Sequence, residues 1–205
     1  MKRALALVAV PAALAVSLAA CGGGDDSGDS MAGHSMSSSA SPSTGGGQAA
    51  RHNDQDVMFA QMMIPHHRQA IEMADLAAAR AASPEVKSLA ADIKKAQTPE
   101  IQRLSGWLKG WGASAPSPGM SGMDGMQHGM DGMMSEKDMK GLEAAKGAAF
   151  DKAFLGMMIK HHEGAVAMAK TEQSAGQSSE AKSMAAGIVS SQSAEIAKMR
   201  SMLKK

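Results

Sequence analysis

Two segments of the chain nearly repeat each other: Phe59–Ala74 reads FAQMMIPHHRQAIEMA and Phe154–Ala169 reads FLGMMIKHHEGAVAMA. Both fit the frame F-x2-M-M-I-x-H-H-x2-A-x2-M-A, and a constant 95 positions separates the copies, Phe154 from Phe59 as Ala169 from Ala74. The likeness continues without a gap. Glu85, Lys87, Ser88, Ala90, Ala91, Ile93, Gln97, Glu100, Ile101 and Leu108 match Glu180, Lys182, Ser183, Ala185, Ala186, Ile188, Gln192, Glu195, Ile196 and Leu203 at the same offset. A repeat of this length is one supersecondary unit used twice.

The unit reads as a helical hairpin. Phe59, Met63, His66, Ala70 and Met73 follow at steps of four and three, which is one stripe of an amphipathic helix. Asn53 with Asp56 forms a capping-box start, and Ser83-Pro84-Glu85 opens a second helix with proline at its favoured first position. Val86, Leu89, Ala90, Ile93, Ile101, Leu104 and Leu108 mark the buried face of that helix, and Gly110 and Gly112 its end. Pro65 and Pro99 fall inside the two helices and are expected to bend them. In the second half, Ser135 with Asp138 predicts a third helix running to about Ser174. A fourth is expected from about Ser179, with Ala181, Met184, Ala185, Ile188, Ile196, Met199 and Leu203 on one side. One hairpin cannot cover its own apolar stripe, so the fold expected is all-α, a four-helix bundle built from two duplicated helical hairpins. With 20 Met, 3 Phe, 2 Trp and no Tyr, the core must be filled by Ala, Leu, Ile and Met, which suits close-packed helices.

The ends carry a different message. Lys2 and Arg3 precede an apolar run, Ala4–Val16, and Leu18-Ala19-Ala20 leads into Cys21, the single cysteine of the chain. The run is too short to span a membrane and reads as a signal peptide. Residues 1–20 are therefore expected to be a lipoprotein signal, with Cys21 lipidated. Residues 21–51, rich in Gly, Ser and Asp, form a flexible tether, because they cannot bury enough apolar surface to offset ordering entropy. The bundle occupies 52–205, with a Met/His-rich loop at 113–134. Such a protein sits outside the cytoplasm, attached to the cell membrane through two acyl chains. A net charge of +1 gives no basis for binding nucleic acid, and one cysteine excludes an intrachain disulfide.

Thioethers and imidazoles are the reactive groups left. Residues four apart stack on one helix face, so Met62 lies one turn before His66 and Met63 one turn before His67. Met157 with His161 and Met158 with His162 repeat the arrangement, while Met73 and Met168 fall two turns beyond His66 and His161. Adjacent histidines diverge by about 100° around a helix. His66 and His161 are expected to point into the bundle, with His67 and His162 toward its flank or mouth. Neutral sulfur donors suit Cu(I), and Ag(I) by the same softness, whereas zinc favours Cys, His and carboxylate. The copies share no carboxylate within the His-His motif, since Glu72 aligns with Ala167 and Glu163 with Arg68. The Glu-x-x-His signature of di-iron bundles is absent. The loop adds Met120, Met123, Met126, His128, Met130, Met133 and Met134, and the tether adds Met31, His34 and Met36. Met on a helix stripe also serves as plain core filler, and loop Met as an oxidant sink.

The segments MMIPHHRQAIEMA and MMIKHHEGAVAMA resemble the paired motifs of the domain of unknown function 305 family, over about residues 52–205. That resemblance implies a ferritin-like four-helix fold and a secreted or membrane-anchored bacterial protein. It also implies extracytoplasmic copper sequestration, with His66, His67, His161, His162 and the neighbouring Met residues matching the motif. Lys160 stands where the first copy has Pro65. The function expected is a non-enzymatic, lipid-anchored metal-binding protein that sequesters or relays soft ions, Cu(I) first and Ag(I) second. Its partners are then the metal ion, the membrane and a copper-handling protein of the envelope. Two other readings are a metal-dependent redox enzyme such as a cuprous oxidase, and a metal-free structural or adaptor lipoprotein.

Overall fold

The computed structural model describes residues 51–116 and 131–204. The signal peptide, Cys21, most of the tether with Met31, His34 and Met36, and loop residues Met120, Met123, Met126, His128 and Met130 lie outside them. Five helices follow in order: α1 (Asp54–Arg80), α2 (Pro84–Gly110), α3 (Glu136–Ala144), α4 (Gly147–Ala175) and α5 (Ser179–Met202). Among the described residues no helix is long and apolar enough to cross a membrane.

The caps form where the sequence puts them. Asn53 and Asp56 exchange side chain-to-backbone hydrogen bonds at the start of α1, as Ser135 and Asp138 do at α3. Ser83 caps α2 ahead of Pro84, and Ser178 caps α5. Both interior prolines, Pro65 and Pro99, lie within uninterrupted helices. The continuous third helix is not observed. Ala145 and Lys146 are extended, Gly147 takes a left-handed φ of 63°, and the segment divides into α3 and α4. Packing supplies the reason: the break turns α3 so that Leu142, 1 % exposed, enters the core that holds Phe150 and Phe154.

Four long helices make the bundle, α1 packed on α2, α4 on α5, and α1 on α4. The two hairpins are tied by one contact used twice. Asp56, at the start of α1, accepts hydrogen bonds from the backbone N–H groups of Gln177 and Ser178 in the α4–α5 turn. Asp151, its counterpart in the repeat, accepts from Ala82 at 3.1 Å and Ser83 at 2.9 Å in the α1–α2 turn. Each copy thus caps the turn of the other, and the beginning of α1 sits beside the end of α4. The two central helices therefore run antiparallel about a pseudo-two-fold axis.

Glu172 breaks the symmetry, since its counterpart is Ala77. It is fully buried near Asp56, and burial first, then Asp56, pushes its carboxyl up from 4.5 to about 8. Burial also opposes ionisation of Asp56, but the neighbouring Glu172 carboxyl and hydrogen bonds from the backbone of Asn53, Ser178 and Gln177 outweigh it and hold Asp56 below its usual range. Below about pH 4.5 Glu172 is protonated in both the folded and unfolded chain. Between about 4.5 and 8 the unfolded chain releases a proton that the folded chain keeps, so stability falls as pH rises. Glu172→Gln is therefore expected to raise the melting temperature progressively more across that window, with its full gain above pH 8. A gain equal at both ends of the window, in thermal melts followed by circular dichroism, would contradict the account.

Candidate metal centre

Antiparallel packing of α1 on α4 carries the two histidine motifs to the same level of the bundle. His66 and His161 meet in a tilted contact, ring centroids 3.7 Å apart and planes inclined at 42°. They are 1 % and 0 % exposed, and none of their four ring nitrogens has a hydrogen-bond partner. Burial pulls His66 down to about 3, with the charge of His67 adding to it. The Asp131 carbonyl lies close enough to favour the protonated form slightly, without closing a hydrogen bond. Burial, then His66, holds His161 well below the usual imidazole range. At neutral pH both rings are uncharged, and each presents a lone pair.

His67 and His162 are placed differently from the expectation. They do not reach the flank or mouth of the bundle but are both fully buried. His67 Nε2 is 2.8 Å from Glu100 Oε2, and His162 Nε2 is 2.6 Å from Glu195 Oε2. A carboxylate can only accept, so Nε2 carries a hydrogen in each ring, which leaves Nδ1 as the lone-pair nitrogen whenever the imidazole is neutral. Both Nδ1 atoms are buried and unpartnered. The feature that the helix geometry misses lies on α2 and α5, whose partly exposed Glu100 and Glu195 pair with these buried rings. Reading only the His-His motif for shared carboxylates overlooks them. The available signal is that Glu100 and Glu195 are themselves identical across the repeat, 33 residues beyond each histidine. Gln97 and Gln192, three residues earlier on the same helices, are also matched and buried, and each leaves its Oε1 unpaired.

The thioethers distribute by the same two-fold. Met63 and Met158 are completely buried. Met63 of α1 shares a core cluster with the half-buried Met168 of α4, while Met158 of α4 shares the other with the fully buried Met73 of α1. Each cluster therefore mixes motif methionines from both copies. Met62 and Met157 are half-buried, as are Met133 and Met134 on the arm that returns to α3. Met133, Met134 and Met157 line an open groove of about 570 Å³ beside Lys160 and Gly164.

The donors present decide what could bind. Among the described residues no three His, Cys, Asp or Glu side chains converge on one point, so a zinc or di-iron site has no ligand set here. Two imidazoles with orphaned nitrogens remain, on helices whose motifs also carry buried thioethers. That set fits a soft ion of low coordination number, since sulfur ethers select Cu(I). The Glu100–His67 and Glu195–His162 pairs have the form of carboxylate–imidazole supports, which orient a ring and raise the basicity of its free nitrogen.

The profile of the domain of unknown function (DUF305) matches residues 56–203. The fold is similar to a DUF305 protein assigned as secreted, from Streptomyces coelicolor, at 34% identity and a TM-score of 0.67 over 73% of this chain and 92% of that one. It is similar to a DUF305 fragment from Deinococcus radiodurans at 32% identity and a TM-score of 0.66, covering 74% and 97%. CopM in its Cu(II)-bound form shares 37% identity and a TM-score of 0.62, covering 73% and 95%, and CopM also has Cu(I)-bound and silver-bound structures. No match is found among curated proteins.

The tautomer is open to direct test. Nitrogen-15 spectra of the metal-free protein should show His67 and His162 with the hydrogen on Nε2 and a bare Nδ1; the opposite tautomer would contradict the assignment. Glu100→Ala strands a buried N–H and should cost about 1–3 kcal/mol in urea unfolding.

Proposed function

Because the chain belongs to the DUF305 family, in which CopM has copper- and silver-bound structures, we propose that it captures Cu(I) outside the cytoplasm and sequesters or relays it. The observation that carries this reading is the pair of enclosed imidazoles, His66 and His161, whose nitrogens have no partner in the protein. Each buried polar group left unpaired costs about 1–3 kcal/mol, and a cation accepting their lone pairs recovers that cost. The rings are in tilted contact, and an ion is held through their unpartnered nitrogens. Met63, Met168, Met158 and Met73, buried or half-buried in the two core clusters, are the candidate sulfur donors. His67 and His162 stand next to the pair in sequence with unpartnered Nδ1 atoms. Met62, Met157, Met133 and Met134 belong to the outer part of the same constellation. Ag(I), soft and without redox chemistry, binds the same donors.

Loop residues Met120, Met123, Met126, His128 and Met130 extend the capacity for soft ions. A diacylglyceryl group on Cys21 fixes the protein to the membrane surface, where thiols oxidise and thioethers persist as copper ligands. The protein acts as a binder, and a copper-handling protein of the envelope receives or supplies the ion.

Titration of the purified protein with Cu(I) against a chromogenic Cu(I) chelator should show retained copper; complete loss to a weak chelator would end the proposal. His66→Ala combined with His161→Ala should weaken the bundle site by more than the roughly 10–100-fold typical of an outer-shell change, while loop binding persists. Binding to the folded state alone should also raise stability by about 2.7 kcal/mol at a free ion concentration of about 100 Kd. Thermal melts with and without Ag(I) measure that gain, and an unchanged transition would count against burial of the ion in the bundle.

A further inference from the structure

The repeat is broken at an interior position that the metal reading leaves unused. Three residues after the first histidine of each motif stand Gln69 in one copy and Gly164 in the other. Both meet the same segment, the arm 131–134 by which the chain returns ahead of α3. The Gln69 amide grips Met134 at two points: Nε2–H donates to the Met134 carbonyl at 2.9 Å, and Oε1 accepts from the Met134 N–H at 2.7 Å. On the facing helix Gly164 is bare, and a Cβ there would overlap the carbonyl oxygen of Asp131. Gly132 adopts a left-handed φ of 87°, and a Cβ on it would lie 2.7 Å from the Lys160 carbonyl and 3.1 Å from that of His161. Backbone therefore rests on backbone at the turn that carries His161. Glycine inside a helix costs about 0.5–1 kcal/mol relative to alanine, and nothing in the bundle core requires it at Gly164.

We propose that Gln69 and Gly164 are positioning residues that seat the arm 131–134 on the histidine pair, so that Met133 and Met134 join Met157 at one mouth of the centre and retain a soft cation there. The inference rests on the metal reading and adds a direction to it. The donors inside the bundle are two-fold symmetric, but among the described residues only one face receives an arm. With the arm in place His66 and His161 are 1 % and 0 % exposed, and the three thioethers line the groove immediately outside.

Silver is the probe, used with the full chain, Gln69→Ala, Gly164→Ala, their double variant, and Gly187→Ala. Gly187 lies on α5, where an added Cβ meets nothing within 4 Å, so it controls for the gain in helix propensity. Two quantities are measured: release of Ag(I) to excess chelating thiol, and hydrogen exchange at the Met134 amide. Both single variants should release silver about ten-fold faster, as expected of lost contacts that act on the off-rate. The double variant should be no faster than the singles, since all displace one arm. In Gln69→Ala the Met134 amide should lose protection, and Gly187→Ala should match the parent. Parental release from both single variants overturns the seating role. A parent that takes up no silver overturns the metal reading itself and this inference with it.

Discussion

The contact on which the structure depends is the antiparallel packing of α1 against α4, locked by Asp56 and Asp151. Each aspartate caps the interhelical turn of the opposite hairpin, so the hairpins cannot slide without exposing turn amides on both sides. Register is fixed by this reciprocity, and register is what brings His66 onto His161. Had the helices packed one turn out of step, each imidazole would face alanine or methionine.

That placement works against the stability of the empty bundle. Buried polar atoms are nearly always hydrogen-bonded, and each exception needs a reason. Among the described residues, six of these exceptions are ring nitrogens of His66, His161, His67 and His162, and Gln97 and Gln192 add one oxygen each; the others, on Glu172 and Gln173, lie at the end of α4. An ordinary core would replace such groups by leucine at little cost. A centre that withholds partners from its nitrogens keeps its coordinating capacity for something that arrives later. Burial reinforces the same end by keeping His66 and His161 neutral, so protons compete weakly for the lone pairs near neutral pH.

Much of this is legible in the sequence because the repeat supplies two independent readings of each helix. Capping residues, apolar stripes and the inward direction of His66 and His161 all emerge from spacing alone. Three features do not. The division of α3 from α4 leaves no proline to mark it and arises from Leu142 being drawn into the core beside Phe150. The buried pairing of His67 and His162 is with carboxylates 33 residues away on other helices, a distance that helical periodicity within one motif cannot span. The pairing of Met63 with Met168, and of Met73 with Met158, follows from the antiparallel register, which a hydrophobic pattern does not encode. In each case the missing information is tertiary.

The central claim is that a soft cation is held between the two copies of the motif. Crystals of the protein loaded anaerobically with Cu(I), measured on both sides of the copper absorption edge, locate the ion directly. The account predicts an anomalous peak within bonding distance of nitrogens from both His66 and His161, with methionine sulfur completing the coordination. Peaks confined to the surface or the loop, with the two imidazoles still in contact and unligated, would contradict it.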